Sequence, residues 1–192
     1  MKPVVVLTKD KHFDFVRSVL PAAILAEQIS DVKPSGCLIA FMTGVIVPSP
    51  VLSKFHRTYN FHAASPDYPG RDPHHWAAYD GAPIYGATAH HMDARVDEGI
   101  IVGTLTVGVP KDFSPQDYLA IGEMAVKALF SVLAPIMVSD GVPATGIKWS
   151  GKKHSRADLL AKCDMRQLDE FAREHREMAF AGFEQHFIAQ SN

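Results

Sequence analysis

Two side chains of this 192-residue sequence stand out by type and spacing: Asn60 and His62. Asn60 and His62 are two positions apart in a run, Thr58 to His62, that reads as a short strand. At strand period both side chains leave from one face. A loop of turn residues, Ser65 to Pro73, follows at once, so the pair belongs at a strand's carboxyl end. An amide and an imidazole side by side can polarise a carbonyl and hold the oxyanion that forms when it is attacked. Downstream, the loop from Asp93 to Gly99 offers Asp93, Asp97 and Glu98. A carboxylate there could orient the histidine or stabilise its protonated form. Spacing alone also fits a satisfied core histidine and a loop-capping aspartate.

The other titratable clusters carry less. His74-His75 and His90-His91 are adjacent pairs, and neighbours in sequence point to opposite sides of a strand or spread around a helix. No HExxH or Cys-x-x-Cys spacing exists, so no metal site is expected. His90 reads as strand packing near the site. Lys148 to Arg156 (KWSGKKHSR) is the one basic cluster. A solvated turn is expected there, with an anionic acceptor contact as the alternative.

The elements that must position these residues follow from pattern. Val4–Leu7 and Cys37–Phe41 read as buried strands, and Gly86–Met92 and Ile100–Val107 as two more, joined by a polar loop. Phe13 to Ile29 has helical apolar spacing that Pro21 would kink or split. Lys33-Pro34-Ser35-Gly36 reads as a turn. His74–Tyr79 should be a short helix ending near Gly81. Ser114, with Asp117 three residues on, caps a long helix to about Val138, and Ser155 caps another to Lys162. Arg166 to about Ile188 reads as one amphipathic helix. Its Leu168, Phe171, Met178, Phe183 and Phe187 are enough to pack on the sheet or on a second subunit, as in a homodimer. Strands alternating with helices give an α/β class with a largely parallel sheet, whose ligands bind at the carboxyl ends of the strands.

Composition sets the frame. Hydrophobic residues make up 47% and charged residues 21%, the balance of an ordinary globular domain, and no repeat appears. One domain over 1–192 is expected. Nineteen basic against twenty-one acidic side chains give a net charge of −2, which argues against a nucleic-acid partner. No apolar run approaches the roughly 20 residues of a membrane helix, and the start lacks a signal-peptide core. With only two cysteines, Cys37 and Cys163, a reducing, cytoplasmic setting is expected.

Taken in order, Asn60-Phe61-His62, Pro69-Gly70-Arg71, Pro73, Trp76-Ala77, Gly81, Gly86-Ala87-Thr88-Ala89-His90 and Asp97-Glu98-Gly99-Ile100-Ile101 resemble the N10-formyltetrahydrofolate-dependent formyltransferases. That group includes the methionyl-tRNA, glycinamide ribonucleotide and sugar N-formyltransferases and formyltetrahydrofolate deformylase. The match covers roughly residues 38 to 107, with residues 108–192 as a helical remainder. The resemblance implies a Rossmann-like three-layer sandwich. It implies Asn60, His62 and Asp97 as catalytic residues, with N10-formyltetrahydrofolate as formyl donor. The pterin would lie between the Gly44, Val45 and Ile46 backbone and the loop of Asp93, Ala94, Arg95 and Val96. A small-molecule amine is the implied acceptor. Gly86 to His90 and Asp97 to Gly99 look closest to the deformylase's version, which keeps water open as acceptor; a non-catalytic folate-binding relative is the other alternative.

Overall fold

The computed structural model describes residues 3–34 and 36–188. Ser35, in the turn expected at 33–36, lies outside the described residues. Six strands form one sheet: β1 (Val4–Leu7), β2 (Ile24–Ala26), β3 (Cys37–Phe41), β4 (Arg57–His62), β5 (Ile84–His91) and β6 (Ile101–Gly108). Their order is β2-β1-β3-β4-β5-β6. The first four in that order pair in parallel, while β5 runs antiparallel to both β4 and β6.

Alternation along the strands builds two packed faces. Val4, Val6, Ile39, Phe41, Tyr59 and Phe61 face α1 (Phe13–Val19) and the long α4 (Pro115–Ser139). Phe130 of α4 anchors this layer, its ring 4.6 Å from that of Phe41 and 5.0 Å from that of Phe61. The opposite face of β1 and β3, Val5, Leu7 and Leu38, packs under Val47 and α2 (Ser49–Leu52). Helices on both faces make the three-layer α/β sandwich that the residue pattern implies. Beyond β4, α3 (Pro73–Asp80) meets α4 through Ala77, Ala78 and Tyr118. α3 also meets α5 (Arg156–Lys162) and α6 (Glu170–Ala179), where Trp76 packs with Leu159, Cys163 and Phe180. Ser114 and Ser155 each close a reciprocal capping box with the aspartate three residues on.

Three expectations need correcting. The helix expected over 13–29 stops at Val19, and Ile24–Ala26 adds a parallel strand to β1. Pro21 lacks the N–H a continuing helix needs, and a strand partner on β1 takes up the following residues. The helix expected over 166–188 is confined to Glu170–Ala179. Asp169 restarts the chain as its N-cap, accepting from the Ala172 N–H, and Gly182 turns it at φ 94°. Ala179 and Phe180 are buried there, while Phe171 is 80% and Met178 44% exposed. Finally, α4 holds an 18-residue window of mean hydropathy 1.7, long and apolar enough to cross a bilayer by length and composition. Its Phe130, Ala134 and Met137 are instead buried against the sheet.

Histidine burial has a consequence for acid stability. Burial lowers the pKa of His12, His75 and His91 and, with His75 and Arg156 adding to it, pushes His74 down to about 4. The unfolded chain takes up protons near pH 6.5, before the folded one does. Stability is therefore full above that pH and declines as pH falls toward 4. His74 alone accounts for on the order of 2 kcal/mol, or a fall in Tm of about 4–8 °C between pH 7 and pH 4. Thermal melts across that range should show a shallower decline in His74→Gln.

Candidate active site

The register of β4 and β5 builds the site. Asn60 pairs directly with His90 and His62 with Thr88, and opposed residues of an antiparallel pair share a face. Asn60, His62 and His90 thus leave together from the face away from α4. Between β5 and β6 the loop carries Asp97 back onto these three side chains. Its carboxylate is buried. Oδ1 lies 3.4 Å from Asn60 Nδ2 and 3.3 Å from His90 Nε2, and Oδ2 lies 3.7 Å from His62 Nδ1. The Gly70 N–H donates to Oδ2 at 2.9 Å.

Hydrogen-bond bookkeeping fixes which atoms are committed. His90 Nδ1 is 2.8 Å from the His91 carbonyl and must donate to it. Its Nε2 lies 3.0 Å from Asn60 Nδ2 and 3.3 Å from Asp97 Oδ1, and Asn60 Nδ2 donates to that same carboxylate oxygen at 3.4 Å. His62 Nε2 donates to the Tyr68 carbonyl at 2.9 Å. That leaves its Nδ1 turned to Asp97, too far for a hydrogen bond, so a proton there is held by charge alone. Burial pushes the Asp97 carboxyl up, but His62, His90 and the Gly70 N–H outweigh it and hold the group well below the usual carboxylate range.

Local backbone makes this convergence possible. A Cβ at Gly99 would collide with the His91 carbonyl, so only glycine lets the loop close on β5. Gly70, at φ 99°, turns its N–H toward Asp97 beneath the backbone of His154. Asp97 itself has φ 52°. Met42 and Asp72 share this left-handed conformation, and all three line one cavity. Strained residues gathered at one cleft are what a preorganised site requires.

That cavity has a volume of about 650 Å³. Asn60, His62, His90 and Asp97 line it, with Gly44, Val45 and Ile46 on one side and Asp93, Arg95 and Val96 on the other. Every residue singled out in the sequence as catalytic or folate-binding meets it except Ala94, which is exposed and absent from the lining.

Two contributors went unread in the sequence. His90 is a partner of Asp97 rather than simple strand packing, and the signal was its register opposite Asn60. The basic segment 148–156 is not a solvated turn: it straps the site. The Trp149 indole N–H donates to the Gly99 carbonyl at 2.9 Å, and its ring stands edge-on to His90 and His62 at 5.0 and 5.9 Å. Lys153 pairs with Glu98, Arg156 with Asp72 at 2.8 Å, and Arg71 N–H bonds the His154 carbonyl at 2.8 Å. Among the described residues, no group of three or more histidine, cysteine or carboxylate side chains is arranged to hold a metal ion.

A buried carboxylate set against two imidazoles and an amide can stabilise charge as a carbonyl is attacked. Comparison with known proteins identifies the family. A family model described as "Formyl transferase" matches residues 2–133. The chain belongs to the formyl transferase family. Among curated relatives, a methionyl-tRNA formyltransferase from Heliobacterium modesticaldum is 31% identical over 152 residues, covering 75% of this chain and 46% of the relative. The formyltetrahydrofolate deformylase of Escherichia coli K12 is 29% identical over 116 residues, covering 57% and 41%. The chain spans less than half the length of these relatives.

Solved structures show the same formyl transferase fold. A 4-N formyltransferase from Francisella tularensis superposes with a TM-score of 0.76 at 15% identity, covering 93% of this chain and 87% of that one. The formyltransferase PseJ from Anoxybacillus kamchatkensis, solved with a formamido UDP-sugar and tetrahydrofolate, gives 0.70 at 17% identity, with coverage of 90% and 96%.

Proposed function

We propose that the chain transfers a formyl group from N10-formyltetrahydrofolate to an amine of a small molecule, acting as one catalytic domain. The observation that carries this is the buried Asp97 carboxylate within 3.7 Å of His62, His90 and Asn60 at the edge of a folate-sized cavity. The cavity fits such a donor: Met42, Val45, Ile46, Val47, Met92 and Val96 give it apolar walls, and the loop backbones beside them offer peptide groups for a pterin edge. The structurally similar PseJ holds tetrahydrofolate, which supports the same choice of donor here.

The donor supplies an electrophilic formyl carbon. Asn60 and His62 carry the oxyanion formed as the amine adds, Asn60 through its amide N–H and His62 through Nδ1, the ring edge without a hydrogen bond. Asp97 would balance a proton on His62 Nδ1, and water relays the proton the amine loses to the leaving nitrogen. The carbon–nitrogen bond to the folate then breaks and its nitrogen takes up a proton. His90 and Trp149 are positioning residues: one holds Asp97 and Asn60, the other packs against both imidazoles. Trp149→Leu should lower turnover by about tenfold through misplacement of the rings, with folate affinity kept. Steady-state kinetics alongside a folate-binding titration would separate the two quantities.

One observation favours a second reading, hydrolysis of the same donor: several of the relatives are formyltetrahydrofolate deformylases, 29% identical or more over the segments that match. Incubation with N10-formyltetrahydrofolate, with and without a panel of amino sugars and amino acids, tests both. Release of tetrahydrofolate that requires an amine and yields the N-formyl product is the expected result. Amine-independent release of formate would establish the hydrolase instead. No release under either condition would refute both.

A further inference from the structure

A second cavity, of about 510 Å³, lies on the other side of the strap from the site described above. His154 and Asp158 line both cavities, so this segment is a shared wall. The second cavity is basic. Lys152, Lys162 and Arg176 line it, against Asp80 and Asp158. Both acids are already engaged. Asp158 accepts from the N–H and hydroxyl of Ser155, each at 2.7 Å, and Asp80 accepts from the Tyr68 hydroxyl. Neither Lys152 nor Lys162 forms an ion pair with a carboxylate among the described residues; Lys162 instead sits over the Tyr79 ring, 5.0 Å from its centre.

The wall of this cavity also holds unpaired polar atoms. Trp76 lines this cavity and is buried, yet its indole N–H finds no acceptor among the described residues. Stacked on it at 3.7 Å is His154, whose buried Nδ1 is likewise without a partner. Buried polar atoms are normally satisfied, and their exceptions ask for an occupant. Arg176 spends only Nη1 on backbone carbonyls, those of Lys162 and Asp164, which leaves further guanidinium donors.

We infer that this cavity binds the phosphate or polycarboxylate part of a small anionic molecule, through Lys152, Lys162 and Arg176 beside the Trp76–His154 stack. Occupancy would brace the 152–155 segment, whose Lys153 grips Glu98, the neighbour of Asp97. The anion has two sources, the acceptor's own charged end or a separate molecule. The binding itself stands whatever reaction the protein catalyses.

Isothermal titration of the full chain with inorganic tripolyphosphate at moderate salt tests the inference. One saturable site is expected, at least tenfold weaker in the double variant Lys152→Ala, Lys162→Ala. Ala161→Glu provides a second variant: residue 161 is an exposed helix position lining the cavity, so the added charge opposes an anion with little demand on the fold. Thermal melts check that both variants fold. No saturable binding, or an affinity unchanged in both variants, overturns the proposal. Kinetics then assign the source. If the anion is part of the acceptor, tripolyphosphate competes with a phosphorylated amine, and the variants raise KM for that amine but not for a neutral one. If it is a separate molecule, tripolyphosphate changes turnover of both amines alike.

Discussion

Asn60→Ala is expected to lower turnover by about 10²–10³-fold, the usual cost of one oxyanion donor, with folate affinity within a few-fold of the parent. The asymmetry follows from position. The Asn60 amide faces His90 Nε2 at 3.0 Å and Asp97 Oδ1 at 3.4 Å, among the groups that would stabilise developing charge. The apolar walls that would hold a pterin belong to other segments, around Val45 and Val96. A contribution made only as charge develops appears in kcat, not in ground-state binding. His62→Ala should go further and abolish turnover, since it removes both the second donor and the imidazole facing Asp97. Single-turnover kinetics with a parallel folate titration measure the split. Wild-type kcat in either variant would refute the proposed roles.

Asp97→Asn should lose both activity and stability at neutral pH. Asparagine tolerates the left-handed backbone at this position and can still accept from Gly70, so the loop keeps its course. What disappears is the charge set against His62 and His90. Breaking such a buried arrangement costs about 3 kcal/mol, a fall in Tm of about 6–12 °C. Turnover should fall by about 10²–10⁴-fold, the scale of a lost acid–base partner. The pH dependence carries the sign. In the parent the carboxyl titrates lower in the folded chain than in the unfolded one, so its stabilisation is full above about pH 4 and is lost as pH falls further. The melting curves of parent and variant should therefore converge in acid. Parallel offsets from pH 7 to pH 3 would mean that the charge is not what Asp97 contributes.

How much of this the sequence disclosed depended on the range of the forces involved. Strand alternation alone placed Asn60 and His62 on one face, and the capping serines announced α4 and α5, because those signals lie within a few residues of each other. Resemblance to the formyltransferases added Asp97, which no local pattern ties to His62. The course of 13–29 misled because helical spacing of apolar residues persists through Ile24–Ala26, where the vacant edge of β1 offered a strand partner instead. His90 and the 148–156 strap stayed hidden for a related reason. Their roles depend on register across β4 and β5 and on contacts such as Trp149 to Gly99, fifty residues apart, which carry no period in the chain.

The three left-handed residues around the main cavity set limits on how this protein can be hardened. Each such backbone stores roughly 1–3 kcal/mol, which glycine would release. A selection for heat tolerance alone would reach Met42 at the expense of cavity lining and of packing against the core. It would reach Asp72 at the expense of the bridge to Arg156. At Asp97 the gain in robustness would be repaid in lost chemistry, so position 97 is where selection for durability and selection for work pull in opposite directions.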